Sequence, residues 1–371
     1  MSDSEVLTPS ISPGGSGRCK NAGNLMTRPV GSNDSRAVLH SYVRMSRRLV
    51  ELGRKRLVEA LPADRLSGRV AVITGGSSGI GLATAEALAR RGVTVVVVAR
   101  GVGDVKSAVQ RIRDNGGSAY GYPCDVTDHY AVAGLAKVVL KEHGHVDFLV
   151  NSAGKSIRRA VVSSTDRLHD YERTMAVNYF GAVDMILAFL PSMRERGFGH
   201  VVNISSIAVQ TKAPLFSAYV ASKSALDAFS VIAAAENADA GVSFTSIRMP
   251  LVRTPMIAPT AAYSTLPVDT PEQAAERVVR ALEERPARID TPVGTLAEYV
   301  GFFSPRVERS ILHQVYKAFP ESDAARATVT RRELAPTSAS GNQIAKRLLT
   351  PLMALPTPGI RFARWVPGLN W

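Results

Sequence analysis

Two side chains capable of proton transfer, Tyr219 and Lys223, lie four residues apart in the stretch YVASK. Residues with this spacing share one face of a helix. A free phenol has a pKa of about 10, which is too high for efficient proton transfer near neutral pH, and a neighbouring ammonium group lowers that pKa. Tyrosine and lysine also occur at this spacing on exposed helices with no catalytic role, so the chemistry depends on what else the chain places beside them.

A glycine-rich stretch, TGGSSGIG at residues 74–81, lies between a predicted strand and a predicted helix. Glycines in such a turn let the backbone approach a pyrophosphate closely, and the pyrophosphate then sits at the helix N-terminus. The spacing differs from the G-x-G-x-x-G form, and glycine-rich turns also occur without a ligand. The strand–turn–helix context favours a dinucleotide site.

The second predicted strand ends at Ala99 and is followed by Arg100. An acidic residue at this place accepts hydrogen bonds from the ribose 2′-hydroxyl of NAD, whereas an arginine pairs with the 2′-phosphate of NADP. Arg100 therefore predicts NADP(H) as the cofactor. The alternative is a solvated arginine at the end of a strand.

The elements that must position these residues alternate regularly from Arg69 to about residue 285. Apolar runs such as RVAVITGG and VTVVVVAR predict buried strands, and stretches such as IGLATAEALARRG and PEQAAERVVRALEER predict helices. This alternation is typical of βαβ units around a parallel sheet. One predicted helix spans about 168–196, and another, around 217–238, carries Tyr219 and Lys223.

The composition is that of a soluble globular protein, with 45% hydrophobic and 21% charged residues among 371. No stretch approaches the roughly 18–20 apolar residues of a membrane span, and the N-terminus does not resemble a secretory signal. The two cysteines, Cys19 and Cys124, form neither a disulfide framework nor a metal-ligand cluster. A cytoplasmic protein without a metal site is the expectation.

The net charge of +13 is concentrated at the ends of the chain. Residues 1–67 carry 11 Lys and Arg against 6 Asp and Glu, and residues 321–371 carry 7 against 3. This distribution argues against nucleic-acid binding and favours peripheral contact between the basic flanks and an anionic membrane. Basic tails that only keep the protein soluble are an equal alternative.

Four segments are predicted along the chain. Residues 1–35 lack any hydrophobic period and are predicted to be disordered. Residues 36–66 form a basic amphipathic helical segment, for which a membrane surface and the protein's own surface remain alternatives. Residues 67–290 form the catalytic domain, and residues 291–371 form a proline-punctuated C-terminal extension without regular alternation.

Five motifs occur in the order and at the intervals typical of one family. TGGSSGIG, CDVTD at 124–128, NSAG at 151–154, NISS at 203–206 and YVASK together resemble the short-chain dehydrogenase/reductase family over about residues 68–290. The resemblance implies an α/β fold of the Rossmann type, with a doubly wound parallel sheet of about seven strands. It also implies a site at the carboxyl ends of the strands and a homo-oligomer.

The resemblance implies a catalytic tetrad of Asn178, Ser206, Tyr219 and Lys223. Ser206, rather than Ser205, matches because it precedes Tyr219 by the family's common interval of 13 residues. Tyr219 would donate the proton, Lys223 would lower its pKa and bind the nicotinamide ribose, Ser206 would hold the carbonyl oxygen, and Asn178 would orient a water.

A larger set of positions would contact the cofactor, from the pyrophosphate turn to the loop after the sixth strand. Two departures from the family pattern lie in these segments: Ser152 replaces an asparagine, and Leu251 replaces a glycine. The predicted cofactor contacts are Gly75, Ser78, Gly79, Ile80, Arg100, Asp125, Val126, Asn151, Ala153, Gly154, Tyr219, Lys223, Val252 and Thr254.

Longer stretches resemble the fatty acyl-CoA reductases of bacteria, which reduce a long-chain acyl thioester to an aldehyde with NADPH. These stretches are SIRRAV (156–161), YERTM with NYFGAV (171–183), FSAYVASKSALDAFS (216–230) and MPLVRTPMIAPT (249–260). The implied substrate is a fatty acyl-CoA, with a substrate lid at about 254–268. Lys155, Arg158 and Arg159 would meet CoA phosphates or form a solvated basic loop.

Two other functions remain open. One is a reductase of the same fold that acts on a lipophilic ketone, aldehyde or secondary alcohol. The other is a non-catalytic NADP-binding scaffold tethered to a membrane by its flanks, against which the complete predicted tetrad argues.

Overall fold

The structure is a computed structural model of the 371-residue chain, and it describes residues 66–257, 268–319 and 321. Four predictions fall wholly or largely outside these residues: the disordered tail at 1–35, the basic helical segment at 36–66, most of the substrate lid at 254–268, and most of the C-terminal extension at 291–371.

A parallel sheet of seven strands forms the centre of the described chain, with the strand order β3-β2-β1-β4-β5-β6-β7. The chain winds outward from β1 to β3 and then returns to place β4 on the other side of β1. This doubly wound order creates a crevice at the carboxyl ends of β1 and β4 and confirms the predicted Rossmann-type fold. The strands are β1 (Val70–Thr74), β2 (Thr94–Ala99), β3 (Ala119–Pro123), β4 (Phe148–Asn151), β5 (Gly199–Ser206), β6 (Val242–Met249) and β7 (Arg288–Ile289).

Helices cover both faces of the sheet, which explains why its central strands are apolar throughout. Ile73 and Val150 point into a core formed with α1, α2 and α8, whereas Val72 and Leu149 point into a second core formed with α3, α5 and α7. The helices are α1 (Gly79–Ala89), α2 (Val102–Asp114), α3 (His129–His143), α4 (Leu168–Met175), α5 (Gly181–Glu195), α6 (Ile207–Thr211), α7 (Ser217–Asn237), α8 (Pro271–Glu284), α9 (Pro292–Phe303) and α10 (Pro305–Ala318).

The helix predicted at about 168–196 is a continuous element, Leu168–Glu195, in which a π-helical turn, Ala176–Phe180, joins α4 to α5. By length and composition alone it is the one helix of the described chain that is apolar enough to cross a membrane. Met185 and Phe189 on this helix are buried in the second core. The packing against the sheet accounts for the apolar composition.

In the described part of the C-terminal extension, two prolines begin helices. Pro292 and Pro305 stand in the first turns of α9 and α10. Proline is favourable there because its missing N–H would have no intrahelical partner. α9 packs beside α6, the short helix that follows Ser206, so this part of the extension adjoins the predicted site.

Candidate active site

The glycine turn after β1 packs directly on the segment that follows β4. Gly75 and Gly79 have φ angles of +66° and +53°, which side chains rarely adopt. A Cβ atom at Gly75 would lie 2.9 Å from the backbone nitrogen and Cα of Ala153, and one at Gly81 would lie 2.2 Å from the Gly75 carbonyl oxygen. Only glycine fits at positions 75 and 81 of this turn.

Three separate loops meet at this turn. The Thr74 hydroxyl accepts hydrogen bonds from the backbone N–H groups of Ser152 and Ala153, each at 3.1 Å. On the other side, a Cβ atom at Gly79 would lie 3.2 Å from the methyl group of Thr254. The structure therefore brings together the predicted cofactor residues of the loops after β1, β4 and β6.

Asn178 lies in the π-helical turn and is fully buried. Its side-chain oxygen accepts from the backbone N–H of Lys155 at 2.7 Å, and its amide donates to the Lys155 carbonyl at 2.8 Å and to the Ser222 hydroxyl at 2.9 Å. Asn178 thus ties the loop after β4 to α7. Its predicted role with a water stays a prediction.

Lys223 is 4% exposed, and its Nζ donates to the carbonyl oxygen of Ile204 at 2.7 Å. A Cβ atom at Gly154 would lie 3.8 Å from this Nζ and 3.4 Å from Oδ1 of Asn178. Gly154, Asn178 and Lys223 therefore lie close together. Burial lowers the pKa of the Lys223 ammonium to about 8, and the nearby Asp227 carboxylate opposes that shift. Lys223 therefore remains mostly charged at neutral pH.

Tyr219 lies one helical turn before Lys223 on α7. Burial raises the pKa of its phenol, a hydrogen bond with Ser206 lowers it, and the net shift is upward. The net pKa of Tyr219 therefore lies above its ordinary value, and the predicted lowering of this pKa by the Lys223 ammonium stays a prediction. Burial dominates, and the ammonium donates to Ile204.

Ser206 ends β5 and is the N-cap residue of α6, where its hydroxyl oxygen accepts from the backbone N–H of Ala208 at 3.1 Å. The cap fixes the oxygen and leaves the hydroxyl proton to donate elsewhere. Together with Tyr219, Lys223 and Asn178, it completes the group predicted to be catalytic, brought to one edge of the sheet by β5, α7 and the π-helical turn.

Arg100 extends into solvent from the end of β2, with its side chain 78% exposed. Its Nη1 lies 3.9 Å from Oδ2 of Asp125. Burial alone would raise the pKa of Asp125, but hydrogen bonds from the backbone and hydroxyl of Thr127 and the Arg100 charge lower it overall. The Arg100 guanidinium and the Asp125 carboxylate therefore lie close together where the adenosine of the cofactor is predicted to bind.

The sequence model of the short chain dehydrogenases matches residues 69–264, which is more than half of the chain. The chain belongs to the short-chain dehydrogenase family. Similar proteins include an uncharacterized oxidoreductase of Mycobacterium tuberculosis, 47% identical over 73% of this chain and 80% of that protein. A fatty acyl-CoA reductase of Acinetobacter baylyi is 48% identical over 72% of this chain and 91% of that protein.

A short-chain type dehydrogenase/reductase from Mycobacterium marinum has a similar crystal structure, with a TM-score of 0.57 and 26% identity over 61% of this chain and 95% of that chain. As a short-chain dehydrogenase, the protein is an oxidoreductase that uses a nicotinamide cofactor, NAD or NADP. The predicted family, enzyme class and similarity to bacterial fatty acyl-CoA reductases are confirmed.

Three predicted cofactor positions of this short-chain dehydrogenase have side chains in the interior. Asn151 donates to Oδ1 of Asn203 at 2.9 Å beneath the site, and Val126 and Val252 belong to the two cores. A Cβ atom at Gly181 would lie 2.8 Å from the Val126 side chain. Any contact that these positions make with a cofactor would involve their backbone.

The basic loop after β4 contacts protein groups. Nε of Arg159 lies 3.4 Å from Oδ2 of Asp170, and Arg158 donates to the carbonyl oxygen of Phe319 at 3.3 Å. Asp170 also pairs with Arg167 and Arg173. The two arginines are therefore engaged in joining this loop to α4 and to the end of α10, an arrangement that neither sequence-based alternative described.

Cys124 is unsuited to act as a nucleophile in a short-chain dehydrogenase of this structure. The thiol is buried, and burial, together with Asp125 and other nearby carboxylates, raises its pKa to about 11. A thiolate is the reactive form of cysteine, and it is scarce at neutral pH with this pKa.

Thr74 and Ser222 were not predicted as site residues, and Met256 lies in the predicted substrate lid; the structure places all three at the site. Thr74 holds the loop after β4, and Ser222 binds Asn178 from within YVASK itself. Met256 is half-exposed, with its methyl 3.7 Å from a Cβ placed at Gly154. The motif letters contain Thr74 and Ser222, but neither position has a spacing that indicates its role.

Proposed function

We propose that this short-chain dehydrogenase reduces a long-chain fatty acyl-CoA to the fatty aldehyde with NADPH. The observation that carries the proposal is the 48% identity to a protein named fatty acyl-CoA reductase over 91% of that protein. The convergence of Asn178, Ser206, Tyr219 and Lys223 at the carboxyl edge of the sheet supports it. The stretches 156–161 and 216–230, which carry the resemblance, line the same region.

The residues present fit a dinucleotide phosphate. The turn at Gly75 and Gly79 leaves backbone without side chains at the start of α1, and the N-cap residue Ser78 makes no side-chain cap to that helix. The first N–H groups of α1 can therefore face a pyrophosphate. Arg100 at the end of β2 supports NADPH over NADH, because an arginine at this place in such folds pairs with a 2′-phosphate.

NADPH, when bound, would supply a hydride, and side chains of this protein would stabilise the developing negative charge and donate the proton. Tyr219 donates its hydroxyl proton to the carbonyl oxygen of the substrate, and Ser206 donates a hydrogen bond to the same oxygen. The Lys223 ammonium stabilises the phenolate that remains on Tyr219. Breaking the carbon–sulfur bond releases the CoA thiol, so one turnover consumes one NADPH and one proton and yields one aldehyde, one thiol and one NADP.

Met256 and Phe216 offer apolar surface next to this centre. Met256 lies over Gly154, and the ring of Phe216 packs edge-to-face against Tyr219, with 6.4 Å between ring centroids. An acyl chain fits such a surface, and so does another lipophilic carbonyl compound. Reduction of a lipophilic ketone or aldehyde, or oxidation of a secondary alcohol, is therefore the second candidate.

The deciding experiment incubates the full chain with palmitoyl-CoA and either NADPH or NADH, and follows cofactor absorbance and released thiol together. The expected result is equal rates of NADPH oxidation and thiol release, with a slower reaction for NADH. Tyr219→Phe should lose at least about 100-fold in rate. Tyr171→Phe, which removes only a hydroxyl bonded to Ser217 at 2.8 Å, is the matched control.

The outcomes separate the candidates. Thioester reduction is refuted if neither thiol release nor NADPH oxidation occurs with palmitoyl-CoA. Cofactor oxidation with lipophilic aldehydes or ketones, without any activity on the thioester, supports the second candidate. Tyr219→Phe activity equal to that of the unmodified chain, on any substrate that the enzyme turns over, contradicts the proposed proton donor.

Homo-oligomer formation through α5 and α7 belongs to the same proposal. Leu187 on α5 and Val231 and Ile232 on α7 are large apolar side chains that are more than half exposed. Exposed apolar patches of this kind favour protein contacts. Light scattering after size-exclusion chromatography should show an oligomer, and Val231→Arg with Ile232→Arg should shift it towards the monomer; an unchanged mass contradicts this interface.

Peripheral membrane contact of a cytoplasmic enzyme remains a prediction, because the basic flanks at 1–65 and 322–371 lie outside the described residues. Deleting residues 1–65 should weaken association with vesicles that contain anionic lipid, while NADPH binding persists. Equal vesicle binding by the shortened and full-length chains refutes the membrane role.

A further inference from the structure

Asp227 continues the face of α7 that carries the predicted proton donor. Tyr219, Lys223 and Asp227 follow one another at four-residue steps, so they line one side of the helix. Asp227 is 8% exposed, and its Oδ2 accepts from Nε of Arg248 at 2.9 Å. Its Oδ1 is buried, and within the described chain no hydrogen-bond donor reaches it.

Arg248, from the end of β6, connects Asp227 to a cluster of charges on later elements. Its Nη1 lies 3.2 Å from Oε2 of Glu298 on α9 and 3.7 Å from Oδ1 of Asp290 after β7. Arg288 pairs with the same Asp290 at 2.6 Å. Three carboxylates thus face two guanidinium groups, which leaves one negative charge near a buried ammonium group.

We propose that Asp227 is a positioning residue whose carboxylate keeps the buried Lys223 in its charged form, and that Arg248 limits the strength of this effect. The inference rests on the proposed function only in assigning a catalytic role to Lys223. The burial of Asp227 and Arg248 matters, because two charges attract more strongly when water is excluded from the space between them.

The titratable groups that bear on Lys223 lie on α7 and in the cluster around Arg248. On α7 these are Tyr219 and Asp227, and among the described residues Asp227 is the nearby charge that opposes the effect of burial on Lys223. The later elements add the four further charges of the cluster. The half-exposed Glu298 is screened by solvent and should contribute least. The four are Arg248, Arg288, Asp290 and Glu298.

The cluster also links the C-terminal extension to the site. Glu298 on α9 accepts from Nε2 of Gln210 on α6 at 3.2 Å, and Ser206 is the N-cap residue of α6. A Cβ atom at Gly294 would lie 2.2 Å from the Gln210 side-chain oxygen, so α9 packs closely there. The extension therefore contacts the helix after Ser206 and, through Arg248, the helix that carries Lys223.

The test measures the titration midpoint of Lys223 by NMR in the cofactor-free full chain, with lysine labelled with ¹³C at Cε and the signal assigned by Lys223→Met. Asp227→Asn removes the carboxylate charge, so the midpoint should fall by about one pH unit or more. Arg248→Met leaves the carboxylate uncompensated, so the midpoint should rise. An unchanged midpoint in Asp227→Asn, or shifts of both variants in the same direction, overturns the inference.

Two controls distinguish charge from packing. Asp227→Glu restores the negative charge and should return the midpoint towards that of the unmodified chain. Arg248→Lys keeps the positive charge but not the forked contacts, so it should raise the midpoint less than Arg248→Met does. If Asp227→Asn does not fold, Arg248→Met against Arg248→Lys decides the question. The measurement needs neither substrate nor cofactor, so a failed acyl-CoA assay with a shifted midpoint refutes the proposed function alone.

Discussion

At the scale of single residues, the site opposes ionisation of both groups that are proposed to handle the proton. Burial raises the pKa of Tyr219 and lowers the pKa of Lys223 to about 8. A protonated phenol is the form that a reductase needs to deliver a proton to a developing alkoxide. The Lys223 ammonium places a positive charge beside the phenol. This charge is lost as the pH rises through the Lys223 pKa of about 8.

The Lys223 shift predicts a stability effect with a definite sign. The ordinary pKa of lysine, 10.5, applies to the unfolded chain, whereas the folded value is about 8. Between these values the unfolded chain binds more protons, so stability due to this group increases as the pH rises. In urea unfolding, the free energy of unfolding of the unmodified chain should rise relative to that of Lys223→Met between pH 7.5 and 9.5, by up to about 1.4 kcal/mol per pH unit.

Lys212→Met is the control for this measurement, because Lys212 is exposed and pairs with Glu308 at the surface. Its stability difference from the unmodified chain should stay nearly constant over the same pH range. A constant difference for Lys223→Met as well contradicts the depressed pKa of Lys223.

At the scale of elements, the turn between β1 and α1 positions the loops after β4 and β6. The Thr74 hydroxyl, the Gly75 backbone and the surface at Gly79 hold Ala153 and Thr254 within contact distance. A change in this turn should therefore affect cofactor binding more than the stability of the sheet.

Gly81→Ala tests that dependence, since its Cβ would lie 2.2 Å from the carbonyl oxygen of Gly75. The turn would have to shift, so NADPH affinity should fall at least about tenfold and stability by about 1–3 kcal/mol. The control is Gly103→Ala in α2, where the Cβ meets nothing within 4 Å. That variant should gain about 0.5–1 kcal/mol, because alanine is favoured in helices. Unchanged affinity in Gly81→Ala, measured by cofactor fluorescence, would show that the turn is not a cofactor site.

At the scale of the whole molecule, the two edges of the sheet have different tasks. The predicted site lies at the carboxyl edge of the sheet, whereas several ion pairs surround the fully buried Asp147 at the amino edge. Its carboxylate accepts from Arg69 at 3.0 Å, from Arg196 at 3.3 Å and from the backbone N–H of Val70 at 2.9 Å, and it lies 3.1 Å from His145. These contacts join the first and fourth strands to the helix before β5.

Asp147→Ala should therefore destabilise the protein without altering the site directly. Arg69 and Arg196 are about one third exposed, so the loss of their buried acceptor should lower the free energy of unfolding by about 1–3 kcal/mol, measured by urea unfolding. Asp166→Ala, on an exposed loop, should change stability by no more than about 0.5 kcal/mol. NADPH affinity of folded Asp147→Ala should match that of the unmodified chain. A large loss of NADPH affinity in Asp147→Ala with unchanged stability would contradict the view that the amino edge stabilises the fold while the carboxyl edge binds the cofactor.

The sequence alone determined the order of the elements and the identity of the site motifs. Apolar runs and glycine stops are local signals, and they located six strands and the helices between them to within a few residues. The family resemblance implied about seven strands, but no local signal located the two-residue β7 or the five-residue α6, because elements so short contain no repeating pattern. The prolines at 292 and 305 were interpreted as punctuation, since proline begins helices as readily as it ends them.

Only the tertiary structure decided how the four predicted catalytic residues are held and charged. The spacing of YVASK indicated that Tyr219 and Lys223 share a face, but it gave no information about burial, which raises one pKa and lowers the other. It also gave no information about Asp227 and Arg248, which meet across 21 positions of chain. Desolvation and long-range charge pairing depend on what packs around a residue, and that is fixed when distant segments come together.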